Sequence, residues 1–330
     1  MPALLISHDC KQLFGIEIAA TLQRLHIALD LLVLPDDPEA RLAEADIASI
    51  EVAFFSQDVY PGHSRQFFSA VRKAPNVKWL HAFNAGVDHP IYTEMLKRGV
   101  RITSSVGTTA EPIAQTALTG MLMLARGFPH WLKAQAERRW APIRLQDSPR
   151  DLPGQTVLVY GMGHIGAEFA RLAKALGMKV IGVRRSPMQP DDPVDEMHTP
   201  DQLDKLLPRA EWLMLACSLT PETRGVFTAP RLALLPKGAY ILNIARGECI
   251  DETAMTAMLQ DGRLAGAYLD VFEKEPLPES SPLWALPNVL VTPHNSTSVL
   301  GNERRVFDLF TRNLERWQHN ETLMFEAKND

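Results

Sequence analysis

The chain has 330 residues, of which 46% are hydrophobic and 22% charged, with 34 Lys and Arg against 39 Asp and Glu. That length suits two domains with sizeable cores, and the composition excludes a disordered chain. A net charge of −5 supplies no overall field for nucleic acid or an anionic membrane, although it leaves room for a local basic site.

The N-terminal stretch Met1 to Asp9 lacks a basic region ahead of a long apolar core. It reads as a first strand rather than a signal peptide. No apolar run approaches the ~18 residues needed to span a bilayer. Cys10, Cys217 and Cys249 are too few and too scattered for a disulfide framework, and no CxxC or Cys/His cluster suggests a metal site. A reducing compartment, the cytoplasm, fits.

Short apolar runs predict strands at Ala3–Ser7, Ala28–Leu34, Val52–Phe55 and Val77–Phe83, with amphipathic helices between them. That alternation argues for a parallel sheet with crossover helices. Glu111–Arg126 reads as one long, mostly apolar helix, with Pro112 tolerable only in its first turn. Trp131–Arg150 is polar and contains Pro and Trp, so it is expected to be an arm. A second α/β series follows, with strands at Thr156–Tyr160, Lys179–Val183, Trp212–Ala216, Ala239–Asn243, Ala265–Leu269 and Val289–Thr292. The last segment, Gly301–Asn320, has helical spacing and is expected to return to the first domain.

The sharpest motif is Gly161-Met162-Gly163-His164-Ile165-Gly166, directly after the strand Thr156–Tyr160 and at the start of a helical pattern that Gly177 ends. A lone GxGxxG is weak, but here the whole strand–loop–helix–strand unit is present. Gly161 permits a tight turn, Gly163 lets backbone approach a pyrophosphate, and Gly166 lets helix and strand pack closely. The helix N-terminus then favours the phosphate charges. An acidic residue at the end of the next strand would hydrogen-bond the ribose of NAD; here the chain reads Arg184-Arg185-Ser186. Two guanidinium groups and a hydroxyl suit a 2′-phosphate, so NADPH is favoured and NAD remains possible. Asp191 and Asp192 lie too far along the loop to be the first choice.

Three later strands end in charged or titratable groups: LNIARG with Arg246, LDVFEKEPLP with its acidic loop, and TPH with His294. Ligands of open parallel sheets sit outside the carboxyl ends of strands, so these groups can converge beside a nicotinamide. Reduction of a 2-oxo acid needs a proton donor, which histidine supplies near neutral pH. A carboxylate can orient that ring, and an arginine can bind the substrate carboxylate. Any one of these groups alone is more often structural; the joint pattern behind a dinucleotide motif points to chemistry.

With these motifs, and with Leu219-Thr220-Pro221-Glu222-Thr223, the sequence resembles the D-isomer-specific 2-hydroxyacid dehydrogenase family. The likeness is densest from Thr156 to Thr297 and extends more weakly to Asn84–Asp88 and Val106–Leu118. It implies an α/β fold of two Rossmann-like domains with parallel sheets and an active-site cleft between them. The substrate domain would span 1–104 plus 297–330, and the dinucleotide-binding domain 105–296. Arg246 would bind substrate, Glu275 would partner the acid/base, and His294 would move the proton. His164 and Ile165 would face the pyrophosphate, Cys217 the adenosine half, and Ile244 the length of the cofactor. Asp270 would hold the nicotinamide carboxamide, and the backbone of Ala85 and Gly86 would receive the substrate carboxylate. The resemblance also implies a homodimer, for which Met121-Leu122-Met123-Leu124 and the arm offer apolar surface.

Two stretches depart from the family pattern: Ala114-Gln115-Thr116 in the long helix and Asn295-Ser296-Thr297 after the histidine. Arg184-Arg185-Ser186, Trp140 and Ser281-Pro282-Leu283-Trp284 are similar to the glyoxylate/hydroxypyruvate reductase branch. The expected function is reduction of a small 2-oxo acid to a D-2-hydroxy acid. The alternatives are a dinucleotide-sensing binding protein like the corepressors that resemble this family, or a dehydrogenase of another acid such as phosphoglycerate or a branched 2-oxo acid.

Overall fold

A computed structural model of the chain describes residues 1–84, 86–87 and 89–327. The chain divides into two compact units, Met1–Thr109 with Val299–Asp330, and Ala110–Ser298.

In the first unit, β1 (Ala3–Ile6), β2 (Asp30–Val33), β3 (Ile50–Phe55), β4 (Trp79–Ala82) and β5 (Arg101–Ser104) form a parallel sheet in the order β2-β1-β3-β4-β5. Strand residues alternate between its two faces. Leu5, Ala53, Phe55 and Leu80 feed one core, and Leu4, Ile6, Val52, Phe54 and Trp79 feed the other. Helix Asn302–Gln318 covers that second face through Val306, Phe307, Phe310 and Leu314, with Phe310 stacked on Phe54 at 4.4 Å. The turn after β5 still belongs to this unit: Ser105 N–H donates to Asn84 O (3.1 Å) and its hydroxyl to Ala82 O (2.9 Å).

In the second unit, β6 (Thr156–Tyr160), β7 (Lys179–Val183), β8 (Glu196–His198), β9 (Trp212–Leu215), β10 (Ala239–Asn243), β11 (Leu264–Leu269) and β12 (Val289–Val291) form a parallel sheet. Its order is β12-β11-β10-β9-β6-β7-β8. The chain winds outward one way through β7 and β8, then returns and winds the other way from β9 to β12. The switch point therefore lies between β6 and β9, which is where doubly wound sheets open a crevice for a nucleotide. Long helix Ala110–Ala125 covers one face with Ile113, Ala114, Ala117 and Met121. Gly120 lets it come close: a Cβ there would meet the Tyr268 ring at 2.4 Å.

Three elements differ from the sequence expectation. The polar segment from Trp131 begins inside a helix, Phe128–Ala136, which starts from a left-handed Gly127 (φ +74°); only the later part is irregular. Strands β5 and β8 have no counterpart among the predicted strands. Both are short edge strands, RITS and EMH, whose polar residues hide the apolar signal that marks a central strand. Among the described residues no helix is long and apolar enough to cross a membrane, and no cluster of three or more His, Cys, Asp or Glu could hold a metal ion.

Candidate active site

Every sequence-predicted residue of the second unit lies at or just beyond the carboxyl end of a strand, or at the start of the helix after β6. The sheet is parallel, so these ends share one edge. The three glycines of the β6 loop divide the work. Gly161 is left-handed (φ +102°) and sits against the turn after β9, where a Cβ would lie 2.5 Å from Cys217 N. Gly163 begins helix His164–Ala175, and a Cβ there would meet nothing within 4 Å. Gly166 faces Gly161, and a Cβ would lie 2.0 Å from its carbonyl oxygen. Turn, open backbone and close packing are thus separate properties of separate glycines. His164 is exposed and Ile165 half-buried at the helix start, where the helix dipole favours anions. An open backbone at a helix N-terminus fits a pyrophosphate.

Beyond β7 the two arginines differ. Arg184 is half-buried and turns back along its own loop. Its Nε–H donates to Ser186 O (3.2 Å), Nη1 to Asp192 Oδ1 (2.7 Å), and Nη2 to Pro187 O (2.6 Å) and Asp192 Oδ2 (2.5 Å). Four of its five N–H groups are engaged. Asp192 also accepts the Gln189 amide at 2.6 Å. The sequence predicts two open guanidinium groups; only Arg185 stands exposed, beside an exposed Ser186. The loop is not extended, and Asp192, distant along the chain, is the residue that folds it. Opposite charge eight residues apart is the signal for this pairing. Arg185 faces the Thr220–Thr223 turn, where Glu222 is held below the ordinary carboxylate range, first by the Thr220 hydroxyl at 2.6 Å and further by the Arg185 charge.

After β10, Ile244 is buried in the core under the sheet. Asn243, also buried, clamps the turn that follows: Ala245 N–H donates to its Oδ1 (3.0 Å), and its Nδ2 donates to Arg246 O (3.2 Å). Arg246 is half-buried and donates to Ala245 O at 2.8 Å. Gly247 then packs directly on the chain after β11, where a Cβ would lie 1.8 Å from Phe272 C. The turns bearing Arg246 and Glu275 are therefore in contact.

Glu275 is oriented at both oxygens. Oε1 accepts the Phe272 amide at 3.0 Å, and Oε2 meets His294 Nδ1 at 2.8 Å. Glu252 braces the same loop by accepting the Glu273 amide at 2.9 Å. Burial raises Glu252 above the usual carboxylate range. With Nδ1 of His294 held by a carboxylate, Nε2 is the ring nitrogen left to face a reactant.

Asp270 has a clear structural task. It is 1% exposed, and its Oδ1 accepts the Thr292 hydroxyl (2.6 Å) and the Asn295 amide (3.0 Å). Its Oδ2 accepts the Ser296 amide at 3.2 Å. Between these anchors His294 adopts a left-handed backbone, φ +51°. Tyr268 Oη braces Thr292 at 2.8 Å. The buried carboxylate thus ties down the turn that aims the histidine. Asn243 and Thr292 stand inside the LNIARG and TPH motifs, and Asn243 acts within its own turn, whereas the roles of Glu252, Thr292 and Tyr268 are visible only once separate loops are brought together.

Cys217 is half-buried after β9, and its sulfur lies 3.8 Å from that of the buried Cys249. In the first unit, Ala85 falls outside the described residues. Gly86 is half-buried, and its carbonyl accepts the Asn84 side-chain amide, whose Oδ1 in turn accepts the Tyr92 hydroxyl at 3.0 Å.

A glycine loop at the switch point of a doubly wound sheet, with a histidine–carboxylate pair and an arginine on the same edge, defines a nucleotide-dependent oxidoreductase. Residues 118–296 match the family described as D-isomer specific 2-hydroxyacid dehydrogenase, NAD binding domain. A glyoxylate reductase of Thermofilum pendens is 31% identical over 73% of this chain and 72% of its own. Among solved structures, a D-isomer specific 2-hydroxyacid dehydrogenase of Xanthobacter autotrophicus Py2 in complex with NADPH and MES is 31% identical, with a TM-score of 0.76 over 99% of this chain and 98% of that one. An NADPH-dependent glyoxylate/hydroxypyruvate reductase of Sinorhizobium meliloti in complex with NADP and sulfate is 27% identical, with the same TM-score and coverage. The chain belongs to the D-isomer specific 2-hydroxyacid dehydrogenase family. It is an NAD(P)-dependent enzyme of that family.

Proposed function

We propose that this enzyme reduces a small 2-oxo acid, glyoxylate or hydroxypyruvate first, to the hydroxy acid, with NADPH preferred over NADH. The observation that carries the reading is the 2.8 Å His294–Glu275 pair on the sheet edge that also bears the glycine loop. The reduced nicotinamide, when bound, supplies the hydride. His294 Nε2 gives its proton to the carbonyl oxygen, and Glu275 stabilises the imidazolium at the other nitrogen. Arg246 clamps the substrate carboxylate and polarises the carbonyl. Gly161, Gly163, Gly166, His164 and Ile165 cradle the pyrophosphate, with Cys217 and Ile244 along the cofactor. Arg185 and Ser186 take the 2′-phosphate, on a loop folded by Arg184. Asp270 meets the carboxamide while holding the His294 turn.

In this reading Ala110–Ser298 is the cofactor domain and the other unit the substrate domain. Met121 and Leu124, expected at a dimer surface, are buried in the core of their own unit, so exposed Phe128, Trp131, Leu132 and Trp140 supply the homodimer surface instead. Three free thiols suit the cytoplasm. The reductases of Thermofilum and Sinorhizobium support the substrate class, and the bound cofactors of the two solved relatives support NADPH.

The test follows reduced-nicotinamide absorbance with NADPH and NADH separately, against glyoxylate, hydroxypyruvate, pyruvate, phenylpyruvate and a branched 2-oxo acid. Faster NADPH oxidation with either of the first two is expected. Turnover confined to a larger acid, or a preference for NADH, overturns that part of the reading.

A further inference from the structure

The proposed hydride and proton transfers make no use of sulfur, yet two of the three cysteines meet at this sheet edge. Cys217 follows β9, and Cys249 closes the turn Gly247–Cys249 after β10. The two are 32 residues apart in sequence, and their sulfurs are 3.8 Å apart in the fold. Cys217 is half-buried, so a small oxidant reaches the pair from its side; Cys249 is fully buried. The shared S–H contact pushes Cys217 up and draws Cys249 down, and the Arg246 charge favours thiolate at both. Thiolate character is what makes a sulfur reactive toward peroxide.

We propose that Cys217 and Cys249 are an oxidative modification site, closed by hydrogen peroxide into an intrachain disulfide that lowers turnover. One sulfur attacks a peroxide oxygen, the O–O bond breaks, and one water leaves as that sulfur becomes a sulfenic acid. The other sulfur attacks the first, the S–O bond breaks, and a second water carries off the remaining thiol proton. The two sulfurs lose the two electrons that reduce the peroxide.

Closure disturbs the site because neither cysteine sits on slack chain. A disulfide needs its sulfurs about 2.0 Å apart, well inside the present separation. The Cys217 backbone packs against Gly161 of the cofactor loop. Cys249 is pinned on both sides: its N–H donates to Arg246 O (3.3 Å), and its carbonyl accepts the Phe227 amide (3.0 Å). Drawing the sulfurs together therefore pulls on the glycine turn, the Arg246 turn, or both. Cys10 is an internal control: burial, with Asp58 adding to it, pushes its thiol up to about 12, and it lies in the other unit.

The inhibitory arm rests on the proposed reaction; disulfide formation does not. The full-length enzyme is treated with hydrogen peroxide and then read by intact mass, by thiol titration in denaturant, and by turnover with NADPH. The expected result is a mass loss of about 2 Da, one remaining titratable thiol, and turnover reduced on the order of tenfold to a hundredfold. Dithiothreitol restores all three. Cys249→Ala keeps its turnover and resists peroxide; Cys249→Ser repeats the test if the smaller side chain costs stability. Two unreacted pair thiols, or a disulfide that leaves turnover and NADPH binding unchanged, overturns the proposal. If no acid on the panel is turned over, NADPH fluorescence replaces turnover, so failure of the assigned reaction is read separately from failure of the thiol pair.

Discussion

The Arg184 guanidinium closes on the Asp192 carboxylate through two contacts of 2.7 and 2.5 Å, folding the loop after β7 into a closed turn. A charge already paired this way has little left for a ligand, so the neighbouring arginines are expected to behave differently on substitution. Arg185→Gln removes the exposed charge and is expected to raise the NADPH dissociation constant about tenfold to a hundredfold, with NADH little changed. Arg184→Gln or Asp192→Asn loosens the loop and lowers thermal stability as well. Titration of both cofactors against each variant checks this; an unchanged NADPH-to-NADH ratio in Arg185→Gln removes the basis for the preference.

His294→Ala is expected to cut kcat roughly a hundredfold to ten-thousandfold while NADPH still binds, because only the proton transfer is lost. Glu275→Gln keeps a partner for Nδ1 but removes the charge that stabilises the imidazolium, so kcat falls and binding holds. Steady-state kinetics with fluorescence titration separates the two effects. Full turnover in His294→Ala would rule out the assigned proton donor.

The glycines provide a test of packing against binding. Gly166→Ala forces a Cβ to within 2.0 Å of Gly161 O and is expected to cost about 1–3 kcal/mol of stability or more. Gly163→Ala meets nothing within 4 Å, so its melting temperature should stay near that of the parent. Its cofactor affinity should fall, because the new methyl occupies the side from which a pyrophosphate approaches. Calorimetry and cofactor titration on both variants decide the matter; equal melting temperatures would contradict it.

His81 gives a pH prediction away from the site. It is fully buried, with Nδ1 2.7 Å from Thr103 Oγ1 and Nε2 3.2 Å from Ser105 Oγ. Trp79 donates to Thr103, and Ser105 donates to Ala82 O, so the chain of bonds is complete with a neutral ring. Burial lowers its pKa to about 3. Between there and the ordinary value near 6.5 the unfolded chain binds a proton that the folded chain refuses, so stability falls as pH falls. The contribution is absent above pH ~7 and reaches about 2 kcal/mol of lost stability by pH ~5. His81→Gln should flatten that part of the curve. Urea unfolding at both pH values tests it, and parallel curves for the two proteins would refute it.

The amino-acid sequence by itself determined the central strands, the order of the glycines and which charged or titratable groups stand beyond the strand ends. The strands are visible because both faces of a covered parallel sheet are buried, which leaves near-continuous apolar runs such as TVLVY and AYILN. Edge strands such as Glu196–His198 are half-exposed, and their polar residues erase that signal. Arg246, Glu275 and His294 are legible because each lies where a strand runs out into its loop, and that position shows in the local pattern.

Tertiary structure decided how these groups are held. Nothing local to the chain shows that Asp270 accepts the Asn295 and Ser296 amides around a left-handed His294, or that Gly247 lies against Phe272. Nor does it show that Asp192 returns to Arg184, or that Cys217 and Cys249 meet. Sequence periodicity records which side of an element is buried. It does not record which loops share an edge once the sheet is wound, and a hydrogen bond or a sulfur contact depends on that sharing to within a few tenths of an ångström.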